Sequence, residues 1–119
     1  MYKRQVYKSP DLVSWEGPYP AFTAPEGFSS ENYWAPEVHA YKGRYYMLAT
    51  FMPPGEGAFR HTRILVSDRP EGPFAFLTSG PATPPDWFCL DGTLFVDDEG
   101  TPWLVFCHEW VQVVDGEVC

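Results

Sequence analysis

The sequence has few basic residues and no long apolar run. Lys and Arg number 8 against 16 Asp and Glu, which leaves a formal net charge of −8. Nucleic acids and anionic membrane surfaces attract basic patches, so neither is expected as a partner. The sequence contains no run of ~18 apolar residues, so it predicts no membrane-spanning helix. The first residues, MYKRQVYKSP, lack the apolar core of a signal peptide, which leaves the cellular location open.

Motifs for metal binding and for nucleophilic catalysis are also missing. The three cysteines, Cys89, Cys107 and Cys119, are odd in number and have no C-x-x-C spacing. We expect free, structural thiols, and Cys89 and Cys107 stand in apolar runs that favour burial. His108 with Cys107 or His39 has no metal-ligand spacing. The G-x-S-x-G motif of serine hydrolases is absent as well. The sequence therefore predicts no metal and no other cofactor.

Helical periodicity is the last notable absence. Short apolar runs alternate with Gly, Pro and Asp instead, and the chain has 18% aromatic residues, 13 prolines and 10 glycines. Aromatic residues favour strands, and Pro and Gly mark turns, so we predict an all-β protein. Its strands are expected at Arg4–Lys8, Glu37–Tyr41, Tyr45–Phe51, Thr62–Ser67, Thr93–Val96, Trp103–His108 and Trp110–Val114.

Two pairs of landmarks recur at nearly the same spacing. The first pair is Gly43, in the turn of VHAYKGRYYML, and Gly100, in the turn of LFVDDEGTPWLVF. The second pair is Ser9 in SPDLVSWEGP and Ser67 in SDRPEGPF, and its spacing differs from that of the first by a single position. A repeat of about four strands is typical of propeller blades. We predict the end of one blade at residues 1–33, a blade at 34–88 and the start of another at 89–119.

The repeat also predicts which residues meet. The innermost strand of each propeller blade lines the central channel. When the chain is aligned on itself by the offset between Gly43 and Gly100, Trp34 falls opposite Asp91. We therefore expect Trp34 and Glu37 from one blade, and Asp91 from the next, to converge on one pocket.

Four segments, in series, resemble the motifs of glycoside hydrolase family 43. WAPEVHAYKGRYYM, at residues 34–47, resembles the signature W-A-P-[DE]-V-x-x-x-x-G-x-Y-Y-M. YKSPDLVSWEGP resembles the S-x-D-L-x-x-W segment, and RILVSDRPEGPF resembles the S-x-x-P-x-G-P-[FW] segment that closes a blade. LDGTLFVDDEGTPWLVF resembles [IL]-D-x-x-x-F-x-D-[DE]-[DE]-G-x-x-[YW]-L. Together they cover most of the chain, in the order of the family.

The resemblance implies a five-bladed β-propeller that hydrolyses α-L-arabinofuranosides or β-D-xylosides with inversion. Such enzymes use an Asp as general base, a Glu as general acid, and a second Asp that tunes the pKa of the acid and orients the substrate. Asp91 matches the second Asp. In the family, the base lies upstream of the SPDL segment and the acid lies beyond the position of Cys119. We therefore expect about two blades of a larger enzyme, inactive in isolation.

The chemistry fits this division among blades. An inverting glycosidase needs two carboxyl groups about 6.5–9.5 Å apart, which leaves room for a water molecule. The acid must stay protonated near neutral pH, and a nearby carboxylate raises its pKa because like charges disfavour ionisation. This is the role that the resemblance assigns to Asp91. Without the resemblance, Asp91 would be interpreted as a turn residue before Gly92.

The other candidate residues each have a structural alternative. Trp34 is either a core residue or a surface on which a sugar ring stacks. Glu37 either braces the site or pairs with Arg44 or Arg63. Glu109, in a segment where the family more often has a Gly-rich stretch, is a candidate for lining the pocket or even for the acid.

The remaining acids of this region are expected to have no catalytic role. Asp97, Asp98 and Glu99 lack the alternating spacing of a calcium loop and are interpreted as a solvated hairpin turn. Asp86 follows two prolines in a loop and is assigned no chemistry.

The predicted partner is an oligosaccharide or polysaccharide that contains arabinose or xylose. Two alternatives remain open from the sequence: a carbohydrate-binding propeller without catalysis, and a related propeller enzyme that acts on fructans or mannosides.

Overall fold

A computed structural model of the chain describes residues 3–28, 31–109, 113–114 and 117–118. These residues form β-strands and no helix, and therefore none that is able to cross a membrane. The strands are β1 (Lys3–Lys8), β2 (Glu16–Thr23), β3 (Glu31–Tyr41), β4 (Arg44–Met52), β5 (His61–Ser67), β6 (Ala75–Phe76), β7 (Cys89–Val96), β8 (Pro102–His108), β9 (Val113–Val114) and β10 (Glu117–Val118).

The strands form antiparallel sheets that follow the chain order. One four-stranded sheet has the order β3-β4-β5-β6, and it is flanked in sequence by the β1–β2 hairpin, the β7–β8 hairpin and the short β9–β10 pair. Six of the predicted strands occur, as β1, β3, β4, β5, β7 and β8. Of the seventh prediction, Trp110–Val114, residues 110–112 lie outside the described residues, and the last two form β9.

β2 and β6 were not predicted. β2 contains Pro18 and Pro20, which normally argue against a strand because proline cannot donate to a sheet. In the structure β2 pairs only with β1, so the missing N–H groups occur on an edge strand, where proline is tolerated. β6 has two residues, too few to show any periodicity.

The two predicted hairpin turns differ in length. β3 and β4 are joined by Lys42 and Gly43, both with positive φ (45° and 78°), as a two-residue hairpin of this type requires. In the second turn the N–H of Asp97 donates to the carbonyl of Thr101, so three residues separate the bonded pair. This turn is therefore one residue longer than the first.

Asp97 organises the second turn rather than belonging to its solvated tip. One carboxylate oxygen accepts hydrogen bonds from the backbone N–H groups of Glu99 and Thr101, at 3.0 and 2.8 Å. The other accepts from the indole of Trp103 at 2.8 Å, and these bonds, led by that of Trp103, lower the pKa of Asp97. Asp98 and Glu99 are exposed, so the prediction of solvated acids holds for these two.

The inner strands of both hairpins contain a β-bulge at corresponding positions. In β3, Ala35 and Pro36 lie in the register shift between Trp34, which pairs with Thr50, and Glu37, which pairs with Leu48. In β7 the register shifts in the same way between Leu90 and Thr93. The first bulge residue has positive φ in each case, 38° in Ala35 and 52° in Asp91.

This correspondence corrects the predicted alignment. Ala35, rather than Trp34, occupies the position of Asp91 one unit earlier, so the true offset is one residue shorter than predicted. The predicted offset was measured between Gly43 and Gly100, and the turn that ends in Gly100 contains the extra residue. Trp34 is therefore the residue directly before the bulge.

The apolar core lies between the β1–β2 hairpin and the four-stranded sheet. Its buried members come from β2, β4, β5 and the segment before β6: Ala21, Phe22, Met47, Ala49, Phe51, Leu65 and Phe74. The ring of Phe51 is at its centre, with edge contacts to the rings of Phe22, Phe28, Tyr33 and Phe76 at centroid distances of 5.0–6.0 Å. The core thus joins two consecutive sheets.

β7 packs closely against the ends of β4 and β5. A Cβ atom on Gly92 would lie 2.6 Å from Cγ2 and 2.8 Å from Oγ1 of Thr62, so no side chain fits there. The N–H of Asp91 donates to Oγ1 of Thr50 at 3.2 Å, and the N–H of Cys89 donates to the carbonyl of Arg60 at 2.8 Å. These contacts hold the β7 bulge against the preceding sheet.

The cysteines only partly match their prediction. Cys89 and Cys107 are free, and Cys89 is buried, which raises the pKa of its thiol. Cys107 is exposed, so the burial predicted from its apolar run is wrong. Successive residues of a strand point to opposite faces, and Cys107 lies on the exposed face of β8 between two partly buried neighbours. Cys119 lies outside the described residues.

Replacing Phe51 by Ala should lower the free energy of unfolding by about 3–5 kcal/mol, because a fully buried ring leaves a cavity. Urea denaturation measures the loss. Phe95, 56% exposed on β7, is the matched control, and Phe95→Ala should cost less than about 1 kcal/mol. Similar losses in both variants would contradict the assignment of the core.

Gly92→Ala should destabilise the protein by about 1–3 kcal/mol, because the new methyl group overlaps the side chain of Thr62. The double variant Gly92→Ala/Thr62→Ala should lose less than the sum of the single changes, since the contact is shared. Gly80→Ala is the control, because a Cβ there meets open space. Additive effects in the double variant, measured by urea denaturation, would contradict the close approach.

Candidate functional site

Trp34 lies on β3 directly before the bulge, and the residue is 44% exposed. Its backbone pairs with Thr50 of β4, and its carbonyl accepts a hydrogen bond from the guanidinium of Arg4 at 3.3 Å. The guanidinium of Arg60 lies over the indole ring, 4.4 Å from its centroid, a cation–π contact. Trp34 is therefore held in position at the surface rather than packed in the core.

Arg60 also forms an ion pair with Glu109. One guanidinium nitrogen contacts both carboxylate oxygens of Glu109, at 2.5 and 2.6 Å. The side chain of Arg60 is 15% exposed and that of Glu109 is 9% exposed, so the pair is largely removed from water. The N–H of Glu109 donates to the carbonyl of Phe88 at 2.8 Å, which fixes the backbone of Glu109 where β8 ends. A buried pair of this kind is costly to break from one side, because the remaining charge has no partner.

Asp91 is exposed and lies at the first position of the β7 bulge. Its φ of 52° is uncommon for a residue with a side chain. The hydrogen bond from its N–H to Thr50 and the close approach of Gly92 to Thr62 hold the backbone in this conformation. Strained backbone that is fixed by its surroundings is frequent at functional sites.

Thr50 connects Asp91 with Trp34. It is the cross-strand neighbour of Trp34, and its hydroxyl accepts the N–H of Asp91. Arg60 then connects Trp34 with Glu109. The structure therefore brings together three of the residues selected from the sequence, across β3, β7 and the end of β8. We call Trp34, Asp91 and Glu109, together with Arg60, the Trp34–Asp91 cluster.

Glu37 lies on the next part of β3 and bonds directly to β7. One carboxylate oxygen accepts a hydrogen bond from the hydroxyl of Thr93 at 2.6 Å and lies 3.0 Å from Nε2 of His39. These hydrogen bonds, first that of Thr93 and then that of His39, lower the pKa of Glu37. Its carboxylate is therefore ionised at neutral pH and braces β3 against β7.

Neither predicted arginine is the partner of Glu37. Arg44 pairs with Asp68 at 2.8 Å. Arg63 donates to the carbonyl groups of Thr78 and Ser79. Of the two alternatives for Glu37, a bracing contact and an ion pair with Arg44 or Arg63, the structure therefore shows the first, because both arginines bond to other partners.

A cavity of about 290 Å³ lies apart from this cluster. It is formed between the four-stranded sheet and the β7–β8 hairpin, and its lining is apolar and aromatic, with Leu48, Ile64, Leu94 and Trp103 among the side chains. None of the four residues predicted from the sequence lines it. We take the cluster as the site, because it contains the exposed indole, the carboxylates and the strained backbone.

No group of three His, Cys, Asp or Glu side chains suitable for a metal ion occurs in the part of the chain that the structure describes. The chemistry available there is that of carboxylates, an arginine and an exposed aromatic face. Such a set can accept and donate hydrogen bonds to hydroxyl groups and can cover the apolar face of a ring.

Arg60 and Thr50 are the residues that sequence reasoning missed. Arg60 lies in the connection between β4 and β5, in GAFRHT, where no motif marks it. Its partner Glu109 is 49 residues away in the chain. Thr50 is a fully buried residue of β4 whose hydroxyl role depends on a neighbouring sheet. Only the three-dimensional arrangement reveals either contact.

Comparisons with known proteins agree on one family. Residues 2–118 match the family described as Glycosyl hydrolases family 43. A xylosidase/arabinosidase 43A from Humicola insolens is 36% identical over 83 residues, which are 68% of this chain and 23% of that protein.

Three solved structures are also similar to this chain. An endo-arabinase from Bacteroides thetaiotaomicron is 48% identical with a TM-score of 0.83, over 92% of this chain and 38% of that one. A thermostable family-43 glycoside hydrolase is 27% identical with a TM-score of 0.78, over 94% and 36%. An endo-1,4-beta-xylanase from Bacteroides thetaiotaomicron is 30% identical with a TM-score of 0.66, over 84% and 32%.

The chain thus spans between about a quarter and two fifths of the length of these relatives. The predicted fold class is confirmed: the chain is all-β and forms about two blades of a five-bladed β-propeller. The family match covers nearly all of its residues. The chain belongs to glycosyl hydrolases family 43.

Proposed function

We propose that this chain is part of an inverting glycoside hydrolase that acts on arabinose- or xylose-containing glycosides of plant polysaccharides. The observation that carries the proposal is the position of Asp91. It stands in a family motif, on a strained bulge bonded to Thr50, the cross-strand neighbour of Trp34. The names of the relatives, a xylosidase/arabinosidase, an endo-arabinase and an endo-1,4-beta-xylanase, support this substrate class.

Asp91 is proposed to tune the general acid and to orient the sugar. A carboxylate close to the acid disfavours ionisation of that acid and so raises its pKa, which keeps a proton available near neutral pH. Asp91 is exposed at a fixed backbone position, so its carboxylate is accessible to both the substrate and the acid. Rigid placement matters because a displacement of about 1 Å weakens such effects.

Trp34, Glu37 and Glu109 are proposed to line the substrate site. The exposed face of Trp34 suits the C–H face of a sugar ring, and Arg60 behind it holds the indole in one orientation. The carboxylate of Glu109 faces the guanidinium of Arg60, an arrangement that suits a charged positioning group better than a proton donor. Glu37 acts through Thr93, by fixing β3 against β7.

The general base and the general acid are proposed to belong to other blades. We divide the chain into the end of one blade at residues 1–33, a blade at 34–88 and the start of the next at 89–119. The two carboxyl groups of an inverting enzyme face each other across about 6.5–9.5 Å, a geometry that blades on different sides of a central channel provide.

The isolated 119-residue chain should not hydrolyse glycosides, because we place two of the three catalytic carboxylates in other blades. Release of the aryl group from aryl arabinofuranoside and aryl xyloside should stay at the level of a buffer blank. Turnover clearly above that blank would show that the chain has its own base and acid, and it would overturn the division proposed here.

In the longer protein that carries this chain, Asp91→Asn should lower kcat by about 100-fold or more. The alkaline limb of the pH–rate profile should also move to lower pH, because loss of the carboxylate lowers the pKa of the general acid. Asp98→Asn, on the exposed hairpin turn, is the control and should leave both properties unchanged.

Three outcomes separate the proposal from its alternatives. A normal rate in the Asp91→Asn variant would remove Asp91 from catalysis. Binding of xylo- or arabino-oligosaccharides without any turnover would favour a carbohydrate-binding propeller. Turnover of fructans or mannosides, and not of arabinosides or xylosides, would favour the related enzyme classes.

A further inference from the structure

The backbone N–H of Asp91 finds its hydrogen-bond acceptor outside its own hairpin. The register shift between Leu90 and Thr93 takes Asp91 out of the regular pairing with β8. A bulge leaves its extra residue unpaired in the ladder, and a backbone N–H that is shielded from water needs another acceptor. The hydroxyl of Thr50, on β4 of the preceding sheet, accepts this N–H at 3.2 Å. A side chain of another sheet therefore completes the bonding of the bulge.

Thr50 is suited to hold this hydroxyl at a fixed position. The residue is 1% exposed, and β4 lies inside the sheet order β3-β4-β5-β6. Its backbone pairs with Trp34 on one side and with Thr62 on the other. A threonine side chain is branched at Cβ, which restricts rotation about its first torsion angle. The hydroxyl oxygen is consequently a rigid acceptor.

The bond to Thr50 influences the direction of the Asp91 side chain. A residue with a side chain keeps a φ such as the 52° of Asp91 only where its surroundings impose it. Without the bond, φ can relax towards the negative values that most residues adopt, and the Cα–Cβ bond turns with the backbone. The carboxylate then moves relative to the general acid and the sugar, and a displacement of about 1 Å is enough to weaken catalysis.

We propose that Thr50 is a positioning residue: its buried hydroxyl fixes the bulge so that the carboxylate of Asp91 faces the general acid and the sugar. This inference rests on the proposed function and deepens it, because Thr50 acts through Asp91 without touching the substrate. Loss of the hydroxyl should therefore change the same properties as loss of the carboxylate, to a smaller extent.

The test compares two buried threonines in the longer protein that carries this chain. The hydroxyl of Thr83, a residue that is 3% exposed, accepts the N–H of Thr62 at 3.2 Å, the same distance as in the bond between Asp91 and Thr50. Thr50→Val and Thr83→Val each remove one such bond, and only the first removes a bond of Asp91. Thr50→Ser keeps the hydroxyl and is the conservative variant. Urea denaturation measures the stability that each change removes.

Thr50→Val should lower kcat on aryl arabinofuranoside or aryl xyloside about 10-fold, because a methyl group accepts no hydrogen bond and the carboxylate is displaced. The alkaline limb of the pH–rate profile should move to lower pH, as in Asp91→Asn, since a displaced carboxylate raises the pKa of the general acid less. Thr50→Ser should stay within about threefold of the unchanged protein, because serine offers the same acceptor. Thr83→Val should lose stability and keep both the rate and the profile.

The double variant Thr50→Val/Asp91→Asn separates positioning from a general loss of structure. If Thr50 acts through Asp91, its replacement should add less than about twofold to the loss of kcat in Asp91→Asn. A full additional loss in the double variant would overturn the proposal. Equal losses of kcat in Thr50→Val and Thr83→Val, or an alkaline limb that stays in place in Thr50→Val, would make Thr50 a structural residue and overturn it as well.

Binding distinguishes the failure of this inference from the failure of the proposed function. If the unchanged protein turns over neither substrate, the proposed function fails, and calorimetry with an arabino- or xylo-oligosaccharide decides whether Thr50 positions Asp91 for the sugar. Weaker binding in both Asp91→Asn and Thr50→Val, with normal binding in Thr83→Val, would then support the inference. Unchanged binding in Thr50→Val, or no binding by the unchanged protein, would contradict it.

Discussion

Successive sheets approach each other closely where Gly92 of β7 meets Thr62 of β5. A methyl group on Gly92 would lie 2.6 Å from the threonine side chain, so only glycine permits this contact. The approach allows the N–H of Asp91 to reach Thr50 and the N–H of Cys89 to reach the carbonyl of Arg60. These bonds set the position of the Asp91 backbone and of Arg60, and through Arg60 that of Glu109. The candidate site therefore depends on one residue that carries no side chain.

Much of the fold was predictable because it is local. Apolar runs separated by Gly-containing turns indicated β3, β4, β7 and β8, and paired φ values in the first turn agree with its Lys-Gly sequence. β2 was not predicted because its prolines are tolerated only on an edge, and edge position depends on tertiary pairing. The predicted repeat offset was one residue too large. It was measured between the turn glycines, and the sequence alone does not show that the second turn is one residue longer than the first.

The candidate site was likewise predicted only in part. Trp34, Glu37 and Asp91 were selected because they stand in contiguous segments with a recognisable pattern, and Glu109 because it departs from that pattern. The partners that hold them were not selected. Arg60 lies in a connection without a motif, and its bond to Glu109 joins residues 49 positions apart. The partner of Glu37 is Thr93, a neutral residue of another sheet, whereas charge alone had pointed to arginines.

The paired bulges of β3 and β7 show where the repeats can differ in side chain while they share a backbone. The same backbone irregularity recurs once per repeat, with Ala35 in one copy and Asp91 in the next. The backbone there is shaped by neighbouring strands, and both residues point away from the buried core, since both are exposed. A mutation at this position can therefore exchange a methyl group for a carboxylate without repacking the protein. Each of the two repeats has one such position, so the side chain there can change while the fold stays the same.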